Sequence, residues 1–116
     1  MKLISATQAL SGAAVDNSIL TLPKRFKGLM RRLQVRNDSG AQRTLTFNDV
    51  FTPDASAGVA SPTSQTVWRY GLVIANGSTT TLDGYVYPIF KLLNNWHIVS
   101  DVASASIIVS YTIELE

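Results

Sequence analysis

His97 is the one imidazole in the chain. It stands in the run HIVSD, with Ser100 and Asp101 close behind it. A base, a hydroxyl and a carboxylate so near in sequence raise the question of acyl-transfer chemistry. Strand geometry argues against it: residues 97 and 100 face opposite sides of a strand, so ring and hydroxyl do not meet locally. No nucleophile-elbow signature surrounds the serine. The chain has no cysteine, which removes thiolate nucleophiles, thiolate metal ligands and disulfides, and fits a reducing compartment. The eight acidic residues are scattered singly. Asp49, Asp54, Asp83 and Asp101 would have to converge through folding, and none has calcium-loop spacing. The run NGSTTT lacks the Gly-Lys-Ser/Thr ending of a phosphate loop. The expectation is a non-enzyme with no catalytic residues, no cofactor and no metal.

The basic residues are more suggestive. Residues 24–36 hold six of the ten Lys and Arg: Lys24, Arg25, Lys27, Arg31, Arg32 and Arg36. Residues 1–48 carry eight basic and two acidic groups, and residues 49–116 carry two and six, so the halves have net charges of +6 and −4. Such polarity lets one copy attract the opposite side of another. A basic amphipathic helix over 24–36 would place Phe26, Leu29, Met30 and Leu33 on one side. Gly28 in its interior costs about 1 kcal/mol relative to Ala, and no N-capping residue precedes it. A strand over 29–36, entered by a basic lead-in over 23–28, fits better. Its apolar side would be Leu29, Leu33 and Val35, and its solvent side Met30, Arg32, Gln34 and Arg36. Lys24, Arg25, Lys27, Arg32 and Arg36 are then the candidate partner-contact residues. Single-strand nucleic-acid binders pair such charge with exposed aromatics. Here the aromatics fall on other segments, and no nucleic-acid-binding signature is present, so nucleic acid is not the expected partner.

Aromatic side chains offer a third chemistry, the stacking of a sugar ring. Trp68 and Tyr70 are two apart on an alternating run and read as core. Trp96 and Tyr87 are the looser candidates for an exposed platform.

The elements that carry these residues are strands. SIIVSYTIELE alternates Ile107, Val109, Tyr111, Ile113 and Leu115 against Ile108, Ser110, Thr112 and Glu114. QTVWRYGLVIA puts Trp68, Tyr70, Leu72 and Ile74 on one face. RTLTFNDVF groups Leu45, Phe47 and Phe51. NSILTL, TLDGYVYPIF and NNWHIV add shorter candidates. NDSGAQ (37–42) and NGS (76–78) read as hairpin loops, Asp83-Gly84 as a bend, and Pro88 as an edge residue. Asn37 and Asn76 also match the glycosylation pattern but read as turn residues. About eight strands with turns every 8–14 residues predict an all-β, antiparallel β-sandwich or jelly-roll-like small barrel. Residues 1–116 make a single domain of ordinary size. Residues 1–18 are expected to be an extended or partner-ordered arm, able to add a strand to a partner's sheet edge. Residues 52–65 are expected to be a long loop. The opening residues are interrupted by Ser5, Thr7, Gln8 and Ser11 and read as mature sequence rather than a signal peptide. No apolar run approaches the ~20 residues of a membrane helix.

The stretch LQVRNDSGAQRTLTFNDVFTPDASAGV carries a likeness. A strand ending in an Asn-x-Ser-Gly turn, an Arg-Thr-Leu-Thr strand and a Ser/Ala/Gly loop resemble the small all-β virion proteins of tailed bacteriophages, head decoration (cement) proteins above all. The closing SASIIVSYTIELE is similar in style, so the resemblance covers residues 29–116. It implies a jelly-roll or sandwich that binds the major capsid protein or other virion proteins and stabilises the shell. It also implies a virion location after assembly in the host cytoplasm, and a homo-oligomer with a trimer favoured. The basic residues 24–36 would then meet acidic surface on the capsid. The alternative function is a carbohydrate-binding β-sandwich module using Trp96, Tyr87 or Trp68. A structural protein of the head–tail joint or tail is a further alternative.

Overall fold

The computed structural model describes residues 2–52 and 63–116. Nine strands follow in chain order: β1 Lys2–Ala9, β2 Asp16–Thr21, β3 Gly28–Asn37, β4 Arg43–Phe51, β5 Gln65–Ile74, β6 Ser78–Asp83, β7 Lys91–Leu92, β8 Asn95–Ser100 and β9 Ile107–Leu115. They form two antiparallel sheets. One has the order β1-β9-β3-β6, with the short β7 also pairing β3; the other has the order β2-β8-β4-β5. With β7 set aside, the eight remaining strands have the order of a jelly roll, in which strands paired in space come from distant parts of the chain. The all-β sandwich expected from the alternation is therefore what the chain forms.

The core lies between the sheets. β9 contributes Ile107, Val109, Tyr111 and Ile113, β3 contributes Met30, Leu33 and Val35, β4 contributes Leu45 and Phe47, and β8 contributes Trp96 and Ile98. Five aromatic rings close the centre. Trp96 meets Tyr111 edge-on at 4.9 Å between centroids and Phe47 at 6.0 Å, while Tyr70 and Phe90 stack on each other at 6.1 Å and both lie against Phe47. Edge-to-face and offset pairs of this kind add about 0.5–1.5 kcal/mol each beyond their burial.

Two expected hairpins are not hairpins. The turn at 37–42 joins β3 to β4, and the turn at 76–78 joins β5 to β6, yet in each case the strands lie in opposite sheets. The turn residues mark a chain reversal, but the reversal arches over the end of the core. Asn37 ties the two arches together. Its buried side-chain amide donates to the carbonyls of Ala41 and Ile74 at 2.9 and 3.0 Å. Its backbone carbonyl accepts from the Gly77 amide at 2.7 Å. Gly40 and Gly77 adopt φ of 97° and 76°, which a residue without a β-carbon tolerates.

The expected arm over 1–18 is instead built into the sandwich. Residues 2–9 form β1 and pair with β9 in an unbroken register from Lys2↔Leu115 to Ala9↔Ile108. The expected loop over 52–65 falls mostly outside the described residues, and β5 begins at Gln65. The apolar run after β6 is no strand: residues 84–90 form a loop, and β7 takes up the pairing with β3 beyond it.

Candidate functional site

Two bulges decide which residues reach the surface. In β3 the register shifts between Met30 and Arg32. Arg31 is the extra residue, so Met30 turns inward and is fully buried instead of facing solvent. In β5 the register against β4 shifts after Phe47, so that Phe47 faces Tyr70 and Asn48 faces Trp68. Arg69 is the extra residue there. Tyr70 keeps its place beside the core, whereas Trp68 moves to the outer face and is 62% exposed. The expectation that Trp68 and Tyr70 share a buried face fails because period two breaks at this bulge.

An anchored carboxylate holds the bulge. Asp49 is fully buried on β4. It accepts from Arg69 Nη2 at 2.8 Å and from the backbone amides of Leu93 and Asn94 at 2.7 and 3.1 Å. One residue thus satisfies the bulged arginine and two amides of the β7–β8 turn. Nothing in the sequence separates Asp49 from the other acids, because its partners are 20 to 45 residues away.

The result is a row across the outer face of the second sheet. Trp68 lies opposite Asn48, Asn48 opposite His97, and His97 opposite Ser18. Strands are about 4.8 Å apart, so the row spans roughly 14 Å. The indole lies across Gly71, where a β-carbon would stand 3.4 Å from Cζ2. His97 Nδ1 is 2.8 Å from Asp16 Oδ1. A carboxylate only accepts, so Nδ1 donates and Nε2 is left for another partner. Ser18 Oγ bonds the Asn95 side chain at 2.9 Å. Ser100, by contrast, is buried on the inner face, so His97 and Ser100 stand on opposite sides of β8. Trp96 points inward with 0% exposure and offers no platform. Its Nε1 is buried with no hydrogen-bond partner among the described residues.

The other candidate aromatic, Tyr87, sits at a protruding tip. Tyr85, Val86 and Tyr87 are 66, 84 and 80% exposed. The base of their loop is pinned: the Gly84 amide donates to the Arg31 carbonyl at 2.7 Å, and Arg31 Nη1 donates back to the Gly84 carbonyl at 2.9 Å. Arg31 Nε also pairs with Glu114 at 2.9 Å. The Ile89 amide closes the loop onto the Met30 carbonyl at 2.9 Å.

The five candidate contact cations fall on two elements. Lys24, Arg25 and Lys27 sit on the β2–β3 connection, where Arg25 adopts φ of 71°. Arg32 and Arg36 lie along β3, whose ten residues span roughly 30 Å. Arg36 is paired with Asp38 at 2.9 Å, which raises its pKa through a hydrogen bond and direct attraction. Arg32 lines an open groove of about 360 Å³ on the outer face of the first sheet, with Ser5, Thr7, Gln34, Ser110 and Thr112. Among the described residues, no three His, Asp or Glu side chains converge as a metal site would need. Among the described residues, no helix is long and apolar enough to cross a membrane.

No protein-family model matches the sequence, and no curated protein matches it. Among solved structures, the chain is similar to the CBM22-1–GH10 modules of the N-terminal endo-1,4-beta-D-xylanase 10B of Clostridium thermocellum, complexed with xylohexaose. The TM-score is 0.50 at 10% identity, over 96% of this chain and 24% of the other. The chain spans about a quarter of that protein, and at this identity the likeness is one of fold.

Proposed function

We propose that this protein is a carbohydrate-binding β-sandwich whose ligand lies along the outer face of the β2-β8-β4-β5 sheet. The observation that carries the reading is the placement of Trp68. A large indole stands on a sheet face, its Cζ2–Nε1 edge against Gly71, with Asn48 and His97 in line beside it. Sugar rings present an apolar face to an aromatic ring and hydroxyls to neighbouring amide and imidazole groups. A flat face suits a chain-like neutral polysaccharide rather than a small buried ligand. The likeness in fold to a xylanase structure that contains a carbohydrate-binding module, solved with a xylose oligomer, supports the same class of ligand.

The test uses the chain's own chromophores. There are two tryptophans, and Trp96 is buried, so a ligand-induced fluorescence change reports Trp68. The native protein is titrated with soluble xylan, cello- and chito-oligosaccharides, and sedimented with insoluble polysaccharides. Saturable quenching or a blue shift is expected with at least one, and retention by the sedimented polysaccharide is expected to be lost in Trp68→Ala. Absence of any response or retention across the panel would reject the reading.

A second reading, a virion component such as a capsid decoration protein, is supported by the pinned tip Tyr85–Val86–Tyr87, which presents contiguous apolar surface. It predicts that reversing Lys24, Arg25 and Lys27 to glutamate lowers occupancy on purified phage heads; unchanged occupancy would remove those residues as the contact.

A further inference from the structure

We propose that two copies of this chain pair through the edge of β1 that no other described strand covers, joining their first sheets into one continuous sheet about a two-fold axis at Ser5. The proposal is independent of what the second sheet binds. It rests on which backbone groups β1 leaves open. The Leu10 amide donates to the Ile107 carbonyl at 3.0 Å, so Leu10 turns its backbone groups toward the β9 line. Antiparallel strands alternate in this respect. Lys2, Ile4, Ala6 and Gln8 therefore bond β9, while Leu3, Ser5 and Thr7 turn their N–H and C=O groups to the open side.

An exposed edge is normally guarded by a bulge, a proline, a charge or shortness. Three of the four outer strands are guarded. β5 has the Arg69 bulge, β2 has a register shift between Ser18 and Leu20, and β6 is six residues long and ends in Asp83. β1 runs eight residues with no bulge and no proline, and its one charge is at its end, Lys2.

The sequence of β1 also suits itself as a partner. Opposed residues in an antiparallel pair must share a face, so the two-fold falls on a residue rather than between two. Centred on Ser5, it sets Ser5 against Ser5 of the second copy, Leu3 against Thr7, Ile4 against Ala6 and Lys2 against Gln8. No like charges oppose. Ser5, Leu3 and Thr7 are the residues whose backbone groups are open, so three pairs exchange about six hydrogen bonds. Leu3, 56% exposed in one chain, gains a neighbour. The arrangement is isologous and closes at two copies.

The absence of cysteine makes the register directly testable. Opposed residues of a hydrogen-bonded pair have Cα atoms about 5.5 Å apart, within disulfide range. Ser5→Cys is expected to form a covalent dimer in high yield on mild oxidation. Thr7→Cys is expected not to, because its two copies would stand roughly 14 Å apart. Light scattering over a dilution series should give a dimer for the native chain. Ser5→Pro should be monomeric and folded, since its lost N–H serves no β9 bond. Ser5→Lys, which keeps the backbone intact, should weaken the dimer about tenfold or more. A native chain that is monomeric or trimeric at every concentration overturns the proposal. So does equal cross-linking at positions 5 and 7, or a dimer that survives both Ser5→Pro and Ser5→Lys.

Discussion

At the scale of single residues, three side chains have separable jobs. Trp68 is exposed, so Trp68→Ala should leave stability within about 0.5 kcal/mol of the native chain. If the indole carries stacking, the same change should weaken polysaccharide binding by about tenfold, the equivalent of ~1.4 kcal/mol. A thermal melt and a binding isotherm on one preparation check both. Asp49 is the reverse case. Asp49→Ala leaves Arg69 and two turn amides without their acceptor, and a loss of about 3 kcal/mol is expected in urea unfolding. Tyr111 titrates. Burial raises its phenol above the ordinary value, so the unfolded chain ionises first as pH climbs. Its contribution is complete below pH ~10 and is lost as pH rises through the folded pKa. The native melting temperature should fall on that alkaline side more steeply than that of Tyr111→Phe. None of these roles was legible residue by residue. Trp68 and Trp96 look alike as letters in two alternating runs, and their fates are opposite.

At the scale of elements, alternation located the strands and failed where an extra residue entered. β9, β4 and β8 keep period two without interruption. The alternation picks out the inward residues of β9 and, on β4, Leu45 and Phe47, but Asp49 and the expected platform Trp96 are also buried. β3 and β5 each carry an arginine at the break, Arg31 and Arg69. Both arginines are tied by carboxylates remote in sequence, Glu114 and Asp49. A bulge stabilised that way has no local signature, which is why Met30 and Trp68 were expected on the wrong sides. The turns were visible, but whether a turn makes a hairpin or an arch depends on the neighbouring sheet. Asp83-Gly84 was visible as a bend for a reason that can be measured. A β-carbon on Gly84 would stand 2.6 Å from the Ile89 amide nitrogen and 2.7 Å from the Tyr87 carbonyl oxygen. Both contacts are backbone, so the loop itself must shift. Gly84→Ala is expected to cost about 1–3 kcal/mol and lower the melting temperature by roughly 4–8 °C per kcal/mol. An unchanged melt would mean that the loop base is looser than its hydrogen bonds imply.

At the scale of the whole molecule, the jelly-roll order makes the first sheet depend on the last strand. β9 lies between β1 and β3 and bonds both. Its inward residues Ile107, Val109, Tyr111 and Ile113 supply one side of the core. A chain ended at Ser106 would lose those four side chains and leave β1 with no partner in its sheet. No cooperative thermal transition is expected from it. The same order sets the folding rate. β1 meets β9 only when residues 2–9 find residues 108–115, so most of the chain must be closed into a loop before that pairing can help. Two-state domains dominated by such non-local pairing fold in milliseconds to seconds, not microseconds. Stopped-flow refolding from urea should therefore show its main phase in that range. The Asn37 corner, whose contacts lie within about 40 residues, should be cheaper to form early than the β1–β9 pairing. Asn37→Ala should then slow refolding, whereas Ala6→Gly on β1 should mainly speed unfolding. The opposite pattern would place β1–β9 closure before the arches.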